Sequence, residues 1–509
     1  MTTGADLPRL GIDLGTTTTC VCVVDGTGEA RVLTNREGGA TTPSAVYLAA
    51  DGTAAVGGLA LDQRVHEPGR VITEIKREIG GDYTVAVPGG HLRPEQISAL
   101  ILRQAVEDAL EALGTAVPAD GPLARVVVTV PAYFGTAERA RTREAARTAG
   151  LDVLDLVNEP TAAALASGLR ATPAGRAVLV YDLGGGTFDV TVVLMFPDEV
   201  RVVATGGDAR LGGADWDRVL VDLVLDQLGD FSDEEEDPRT SPRLMAGLLG
   251  QVQAVKVALS TSTEQVLSLR TTRGRVHRMV ISRSDYEKAT SDLLDRTLDF
   301  TGDLLDQARA AGVPTIDDVL LVGGMSRTPA VARRLRETFP HLPAPRLAAD
   351  AELVVARGAA QVAAGEPRKV VDVTSKGYGV LIVRDAGRPS LGSAVHWIIA
   401  PNTPLPTSGR HTLCTVRDGQ TAMRVAVYES TTDVLSDDEA DHLRLDERTM
   451  EGLPRDGRRG DPIELDFSLG ADGVLRIDAR AANGARLRIE TQVRGGGTDA
   501  VAPLPGLRR

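Results

Sequence analysis

Two segments of the sequence place an aspartate directly before a glycine-rich turn, an arrangement that can hold phosphate and a metal ion. The first reads LGIDLGTTTTCV from Leu10, and the second reads VLVYDLGGGTFDV from Val178. Each combines an apolar strand, a turn of small residues and a β-branched strand, which predicts a tight β-hairpin. Glycine turns present convergent backbone N–H groups with no side chain in the way. At the strand ends, Asp13 and Asp182 are suited to hold a hydrated Mg²⁺ that bridges two phosphates.

The same unit occurs twice, and this repetition predicts a duplicated lobe with the two aspartates facing each other across a cleft. Thr16, Thr17 and Thr187 stand in the turns, where their hydroxyl groups can reach phosphate oxygens. A third turn, Gly323-Gly324, follows another apolar strand. A single Asp-Gly turn is better explained by structure alone. Two matched hairpins with a third turn reverse that preference and favour a nucleotide site.

The elements around these turns predict the fold class. Helical patterns over Pro94–Ala112 and Gly135–Ala149 alternate with apolar strands, which favours α/β lobes. After about Gly365 the helical period fades and alternating strands take over. Asp472-Gly473 and Asn483-Gly484 are typical hairpin turns between such strands. The sequence therefore predicts an α/β protein followed by a small antiparallel β domain.

Length and composition exclude several classes of function. The chain has 509 residues, too many for one hydrophobic core, so two or more domains are expected. Its net charge of −14 disfavours nucleic acid as a partner, because phosphate binding needs a basic face. No apolar run approaches the length of about 18 residues that a membrane span needs, and the N-terminus lacks the pattern of a secretory signal. We therefore expect a cytoplasmic protein with no nucleic-acid and no membrane partner.

Six motifs carry a resemblance to a known family. In sequence order they are GIDLGTTTTCV, VTVPAYF, VNEPTAAA, YDLGGGTFDV, LGGAD and LVGGMSRTP. With them the chain resembles the seventy-kilodalton heat-shock chaperone (DnaK-type) family, closely over about residues 9–365 and more loosely over 366–493. The resemblance implies an actin-like two-lobed ATPase, a nucleotide-controlled β-sandwich that binds peptides, and hydrolysis of ATP in the cleft. The implied domains are a nucleotide-binding domain at 1–365, an interdomain linker at 366–379, the β-sandwich at 380–494 and a flexible tail at 495–509.

The resemblance also assigns roles to residues of the cleft. Lys76 resembles the family lysine that faces the γ-phosphate, where a cation neutralises charge on the transferring group. Glu159 resembles the carboxylate near the metal and the attacking water. Taken alone, Lys76 would be an ordinary solvated lysine and Glu159 a surface acid. The implied catalytic residues are Asp13, Lys76, Glu159, Asp182 and Thr187. The implied cofactors are ATP or ADP and Mg²⁺ held by Asp13 and Asp182, with K⁺ left open.

The other implied nucleotide contacts come from the glycine turns and from one helix face. Gln253, Lys256 and Ser260 have helical spacing, and the last two resemble positions that contact base and ribose in the family. Gln253 departs from the family, which usually has glutamate there. Arg327 and Asp350 are expected to complete the nucleoside pocket, with a plain surface ion pair as the alternative. The implied nucleotide-binding residues are Gly15, Thr16, Thr17, Gly184, Gly185, Gly186, Gly213, Lys256, Ser260, Gly323, Gly324, Arg327 and Asp350.

Signalling between domains is assigned to a separate group of residues. Pro131 and Tyr133 resemble the proline switch of the family, with Arg139 as its relay, although a proline before two aromatic residues also fits a simple strand end. The segment from Lys369 resembles the linker that docks on the ATPase lobes. It is less apolar than the family linker, so we expect its docking to bury less apolar surface.

The β domain is where the resemblance weakens. Leu413, Met423 and Val425 fall on the positions of a pocket for one client side chain, with ordinary core packing as the alternative. No helical lid follows the β domain in this sequence, which predicts fast release of bound peptide.

Partner choice is expected to depart from the family as well. Asp155 stands where the family has an arginine that meets J-domain partners, and a charge reversal there makes such a partner doubtful. The expected partners are a peptide or protein client, with a nucleotide-exchange factor left open. Alternatives to a chaperone-like ATPase are a nucleotide-dependent scaffold without general client activity and, least favoured, a small-molecule kinase.

Overall fold

The structure is a computed structural model that describes residues 7–87, 90–228, 237–270, 276–384, 392–431, 435–470, 473–490 and 504–508. Within these ranges the chain is a mixed α/β protein with several sheets, as the sequence predicts. Among its described helices, none is both long and apolar enough to cross a membrane.

The first part of the chain is organised around one six-stranded sheet. This part of the chain contains strands of that sheet and of two smaller sheets: Arg9–Leu14 (β1), Thr18–Val24 (β2), Ala30–Leu33 (β3), Thr42–Pro43 (β4), Val46–Leu48 (β5), Thr53–Val56 (β6), Val71–Ile72 (β7), Val85–Val87 (β8), Gly90–Leu92 (β9), Arg125–Val130 (β10) and Asp152–Asn158 (β11). Its helices are Gly58–Asp62 (α1), Pro94–Ala112 (α2), Thr136–Thr148 (α3) and Glu159–Ala166 (α4). The sheet order is β11-β10-β1-β2-β3, with β4 also paired to β2. The buried apolar run of β1 pairs antiparallel with β2 and parallel with β10, as expected for a central strand.

The second part repeats this plan. Its strands are Arg176–Leu183 (β12), Phe188–Met195 (β13), Glu199–Asp208 (β14), Glu264–Arg270 (β15), Val276–Ser282 (β16), Asp318–Val322 (β17), Arg346–Leu347 (β18) and Lys369–Val371 (β19). Its helices are Gly213–Leu228 (α5), Pro242–Leu259 (α6), Arg283–Ala289 (α7), Ser291–Ala310 (α8), Pro329–Thr338 (α9) and Val354–Ala364 (α10). The sheet order is β18-β17-β12-β13-β14-β19. Here β12 pairs antiparallel with β13 and parallel with β17, so both predicted hairpins are present in matching surroundings.

Helices α4 and α10 bring the two large sheets together. A Cβ atom at Gly358 of α10 would overlap the carbonyl of Ala162 in α4, and one at Gly11 of β1 would overlap the backbone of Ala360. These glycines are therefore required for backbone-to-backbone contact. The close packing holds the ends of β1 and β12, with Asp13 and Asp182, in one region.

The last part of the chain forms two four-stranded antiparallel sheets. Their strands are Tyr378–Arg384 (β20), Gly392–Ile399 (β21), Thr407–Cys414 (β22), Ala422–Ser430 (β23), His442–Glu451 (β24), Pro462–Leu469 (β25), Leu475–Ala481 (β26) and Arg486–Glu490 (β27). The orders are β21-β20-β23-β24 and β22-β25-β26-β27, and both sheets contribute to one hydrophobic core. The predicted turn at Asn483-Gly484 joins β26 to β27 with Gly484 at φ 87°. In the other predicted turn, Asp472 lies outside the described residues.

One short strand departs from the predicted loose tail. Gly506–Leu507 (β28) pairs in parallel with β6 and extends a small sheet of order β28-β6-β5-β7. Residues 504–508 are thus part of this sheet or in contact with it, whereas 495–503 and Arg509 lie outside the described residues. The pairing partner is more than four hundred positions away in sequence, so no local pattern could reveal it.

Candidate active site

A cavity of about 80 Å³ lies where the two hairpin turns and the third glycine turn meet. Its lining includes Asp13, Gly15, Thr16, Thr17, Lys76, Glu159, Asp182, Gly184, Gly185, Thr187, Gly323 and Gly324. The structure therefore brings together all the residues implied as catalytic and most of those implied as phosphate-binding.

Close contact between the two turns explains their glycines. A Cβ atom at Gly185 would overlap Thr17, and one at Gly186 would overlap Thr16. At Gly323 the backbone has φ 81°, and a Cβ would lie 2.5 Å from a carboxylate oxygen of Asp182. The turns can approach each other only without side chains at these positions.

The carboxylates of Asp13, Glu159 and Asp182 repel one another at this cavity, where Glu159 and Asp182 are buried and Asp13 is half-buried. Burial, followed by the charge of Glu159, raises the pKa of Asp13 to about 6, although Thr129 donates a hydrogen bond of 2.7 Å to it. Burial and the neighbouring acids Glu159, Asp189 and Asp13 also raise the pKa of Asp182. A bound cation would relieve this repulsion and lower both pKa values.

The donor set fits a magnesium ion that keeps water and phosphate ligands. Carboxylate and hydroxyl oxygens are the donors that Mg²⁺ prefers. No group of three or more metal-ligating side chains occurs in the described part of the chain, so the protein alone offers no complete cage. Asp13 and Asp182 can hold a hydrated Mg²⁺ whose remaining ligands come from solvent and phosphate.

Lys76 reaches the cavity from a short 3-10 turn, Ile75–Glu78, that follows Glu74 in the left-handed conformation. Its Nζ lies 2.5 Å from Oε1 of Glu159, and the two residues are only 5% and 7% exposed. The ammonium also lies 5.9 Å from the ring centre of Phe134. Because a buried charged group requires a partner, the contact with Glu159 stabilises Lys76 in the lining of the cavity.

A second cavity of about 260 Å³ adjoins the first and shares Thr16, Thr17 and Gly185 with it. Its lining adds Leu61, Arg64, Asp217, Gln253 and Lys256, among others. Lys256 forms an ion pair of 2.8 Å with Asp217 and donates a bond of 2.8 Å to the carbonyl of Gly213. Gln253, which replaces the family glutamate, donates to Asp217 at 3.3 Å.

Five of the residues implied as nucleotide-binding lie outside both cavity linings: Gly186, Gly213, Ser260, Arg327 and Asp350. Arg327 pairs with Glu352 at 3.1 Å, whereas Asp350 pairs with Arg357 at 2.8 Å. The predicted alternative of an Arg327–Asp350 surface pair is therefore wrong. Glu352 lines the small cavity beside Gly324, two residues before α10, whereas the predicted Asp350 does not line it.

The sequence analysis missed several residues at the site, among them Arg77 and Asp189. Arg77 donates to the carbonyl of Gly186 at 2.8 and 2.5 Å and pairs with Asp215 at 2.6 Å, so it ties the first hairpin side to the second. Asp189 is 1% exposed and accepts a hydrogen bond of 3.0 Å from the backbone of Ala132. Asp189 stands in the second hairpin motif, on a strand of mainly apolar residues. An acid in such a strand could have marked it as a candidate site residue.

The proposed signalling residues form a connected path. Burial raises the pKa of Tyr133, and its contact with Thr187, which lines the cavity, opposes that rise. Arg139 donates to the carbonyl of Phe134 at 3.2 Å and to the side chain of Asn158. Asn158 in turn donates to Asp372 at 2.5 Å, directly after β19. Pro131 stands at the start of this path, which runs from the second hairpin to the predicted linker.

The three predicted pocket residues of the β domain do not share one environment. Val425 is 1% exposed in the core between the two sheets, whereas Leu413 and Met423 are half-buried at the edge of that core. This arrangement favours the core alternative for Val425. It leaves Leu413 and Met423 accessible to a bound side chain.

The two cavities share three lining residues, so a nucleoside site lies next to a phosphate and metal site, and this arrangement is the one expected of an ATPase. A family model described as "Hsp70 protein" matches residues 9–88 and 81–500. Two similar proteins, each named "Chaperone protein DnaK" and found in Halobacterium salinarum strains R1 and NRC-1, are 36% identical over 481 residues, which is 92% of this chain and 72% of each relative. The chain belongs to the Hsp70 family. It is an ATPase and an ATP-dependent chaperone that uses ATP and ADP with Mg²⁺.

Proposed function

We propose that the two six-stranded sheets are the cores of the two lobes of an actin-like ATPase spanning residues 1–365. In this proposal 366–379 is the linker and 380–494 a peptide-binding β-sandwich. Matching hairpins in the two large sheets support the first assignment, and the shared core of the two antiparallel sheets supports the second. Below, the first lobe is the part built on β1–β11, and the second lobe is the part built on β12–β18.

The observation that carries the chemistry is the cluster of charged groups around the small cavity. Mg²⁺, held by Asp13 and Asp182, would neutralise phosphate charge. Lys76 then acts on the charge of the transferring γ-phosphoryl group, and Glu159 orients Lys76 and the attacking water. Thr187 supplies a hydroxyl group from the second hairpin. A K⁺ ion beside Mg²⁺ belongs to the same proposal, because the cavity is lined by carboxylate and hydroxyl oxygens.

Hydrolysis is coupled to the β domain through contacts that cross the domain boundary. Strand β19 pairs with β14 of the second lobe. Glu429 accepts a hydrogen bond of 3.0 Å from the backbone of Thr136, and the Thr136 and Tyr378 hydroxyl groups lie 3.0 Å apart. Loss of the γ-phosphate alters the Thr187–Tyr133 contact, and the path through Arg139 and Asn158 transmits the change to Asp372.

The β domain takes an extended peptide whose backbone it holds by hydrogen bonds and one of whose side chains contacts Leu413 and Met423. The client is thus an unfolded segment with an apolar residue. We further propose that a nucleotide-exchange factor assists release, and that the usual J-domain partner binds poorly because Asp155 is exposed where the family has arginine.

A rate measurement tests this function. Steady-state hydrolysis of ATP should rise when an unfolded polypeptide is added, and a folded protein of the same size should leave it unchanged. A rate that does not respond to unfolded polypeptide would favour the scaffold alternative. The matched variant is Met423→Gln, which should weaken the response while preserving the basal rate, because Met423 is remote from the cleft in sequence and half-buried at the edge of the core of the C-terminal sheets.

A further inference from the structure

The segment Leu504–Arg508 adds a strand to the free edge of β6 in the first lobe. Gly506 pairs with Thr53 and Leu507 with Ala54, both in parallel. The backbone N–H of Arg508 donates to the carbonyl of Ala54 at 2.7 Å. Strand addition of this kind uses main-chain hydrogen bonds for affinity and side-chain contacts for specificity.

Specific side-chain contacts accompany the backbone pairing. Arg508 donates to the hydroxyl of Thr53 at 2.6 Å and pairs with Asp51 at 2.7 Å. Its guanidinium also lies 6.0 Å from the ring centre of Tyr47. Leu504 and Leu507 pack on the hydrophobic core of the first lobe. The segment thus places Leu504 and Leu507 on an apolar surface and Arg508 next to Asp51 at the edge of that surface.

A cavity lies beside the strand, between the segment and the small sheet. It has a volume of about 580 Å³ and is lined by Leu48, Ile72 and Val85 of the first lobe together with Leu504 and Pro505. The lining is thus shared between the segment and the small sheet, as expected of a groove that the segment only partly fills.

The small sheet that pairs with this strand is also connected to residues that line the second cavity of about 260 Å³, called the nucleoside cavity below. Residues 57–70 connect β6 to β7, and both strands pair with β5. Within this connection Leu61 and Arg64 line the nucleoside cavity. The turn Gln63–Val65 packs against α6, which carries Gln253 and Lys256 from the opposite side of the cleft. Strand β6 is therefore connected directly to residues that form one wall of the cleft.

We propose that the edge of β6 is a binding site for the chain's own segment Leu504–Arg508, and that its occupancy slows the release of nucleotide. The inference rests on nucleotide binding in the cleft. Thirteen residues, 491–503, separate β27 from the segment, and fully extended they span up to roughly 45 Å. The occupant is the segment of the same molecule, which adds a second link between the β domain and the ATPase beyond the linker at β19.

The first test removes the strand and measures nucleotide release. In a chain that ends at residue 503, a fluorescent ADP analogue should dissociate roughly three- to tenfold faster, the change expected when a few hydrogen bonds are lost. Adding the peptide LPGLRR, the sequence of residues 504–509, should restore slow release. An unchanged dissociation rate would overturn the proposal.

A charge variant of the full chain tests the same contact even if the shortened chain fails to fold. Asp51→Asn keeps the turn, in which the side chain accepts hydrogen bonds from the N–H and hydroxyl of Thr53, but removes the charge that pairs with Arg508. Asp25→Asn is the matched control, because Asp25 makes the same contacts with Thr27 in an exposed loop of the same lobe. Faster ADP release in Asp51→Asn alone supports the proposal, and equal rates in both variants contradict it.

A binding measurement without nucleotide separates this inference from the proposed function. Fluorescently labelled LPGLRR should bind the shortened chain in an anisotropy titration, more weakly in Asp51→Asn than in Asp25→Asn. Absence of binding would overturn the strand site even if the ATPase assignment is correct, and binding would support the site even if ADP binds elsewhere. If the full chain is a dimer that becomes monomeric on removal of 504–509, the occupant is a second copy and the assignment to the same molecule is wrong.

Discussion

Around the cleft the functional side chains contact one another, whereas in the two C-terminal sheets the candidate residues are apolar side chains within or beside a shared core. Lys76 is bound to Glu159, Asp13 to Thr129, and Lys256 to Asp217. Val425 and Met423 instead belong to one hydrophobic cluster with many equivalent members. Individual charged groups should therefore dominate function in the cleft, and packing should dominate it in the β domain.

The largest expected effect lies in the cleft. Lys76→Ala should reduce the rate of ATP hydrolysis by about 10²- to 10³-fold, because the ammonium acts on charge that develops in the transition state. The affinity for ATP should change much less. Single-turnover hydrolysis and equilibrium binding of ATP measure the two quantities separately.

Lys288→Ala is the matched control, since Lys288 is exposed on α7 and contacts neither cavity lining. Its hydrolysis rate should equal that of the wild type. Hydrolysis at the wild-type rate in Lys76→Ala would contradict the assignment of the cleft. It would also contradict the claim that individual charged groups dominate function there.

The local parts of the fold and site could be predicted from the sequence. The pattern of α2 predicts Pro94–Ala112, and these are its bounds in the structure. The two hairpins follow from apolar runs that end at Asp-Leu-Gly, because turn chemistry and strand period are local properties. Family motifs then placed Lys76 and Glu159, which lie 83 positions apart, at one cavity.

Contacts between distant segments could not be predicted in the same way. The position of Arg77 depends on the distant carbonyl of Gly186 and on Asp215, and strand β28 depends on the free edge of β6. Glu352 lines the small cavity and Asp350 does not, a difference that the local sequence pattern does not reveal, and the role of Asp350 in nucleotide binding remains a prediction.

In the β domain the second prediction separates core from pocket. Val425→Ala should lower the free energy of unfolding of this domain by about 2 kcal/mol, because it leaves a cavity between the sheets. Met423→Gln should change stability less but weaken binding of a hydrophobic peptide several-fold. Urea denaturation and peptide anisotropy check the two outcomes.

Arg424→Gln provides the control for that pair, since Arg424 is the exposed neighbour of Met423 on β23. It should alter neither quantity. Unchanged peptide affinity in Met423→Gln would show that the half-buried residues belong to the core alone.

The third prediction concerns the boundary between the two regions, where two acids meet. Burial and then the charge of Glu429 raise the pKa of Glu138 from 4.5 to about 7, while Lys376 opposes the shift. The docked state therefore binds a proton more tightly than the undocked state. Docking should be strongest below about pH 4.5, weaken as pH rises through about 7 and stay constant above that value, with solvent screening limiting the change to about 1 kcal/mol.

Hydrogen exchange of the linker strand Lys369–Val371 reports this docking. In the wild type its protection should fall between about pH 5 and pH 7 after correction for the intrinsic exchange rate. Glu138→Gln should remove that dependence and retain protection throughout. A wild-type chain with protection that rises over the same interval would contradict the sign of the argument.

The smallest expected effect is at the surface of the first lobe. Asp155 is exposed on β11, and its carboxylate accepts a hydrogen bond of 2.8 Å from the N–H of Leu156. The resemblance implies that J-domains present an acid to this position, so two acids would meet there and repel each other. We expect a J-domain protein to stimulate the wild-type ATPase weakly and to stimulate Asp155→Arg about threefold more, a change of less than about 1 kcal/mol.

Asp152→Arg tests whether any added positive charge suffices, because Asp152 is exposed at the start of the same strand. Asp152 pairs with Arg125 at 3.4 Å and does not stand where the family has its arginine. Asp152→Arg should therefore leave J-domain stimulation at the wild-type level. Equal gains in both variants would indicate general electrostatic attraction, since long-range steering depends on net charge and not on one contact. Strong stimulation of the wild type would instead mean that Asp155 only caps the backbone of its own strand and that partner choice depends on other residues.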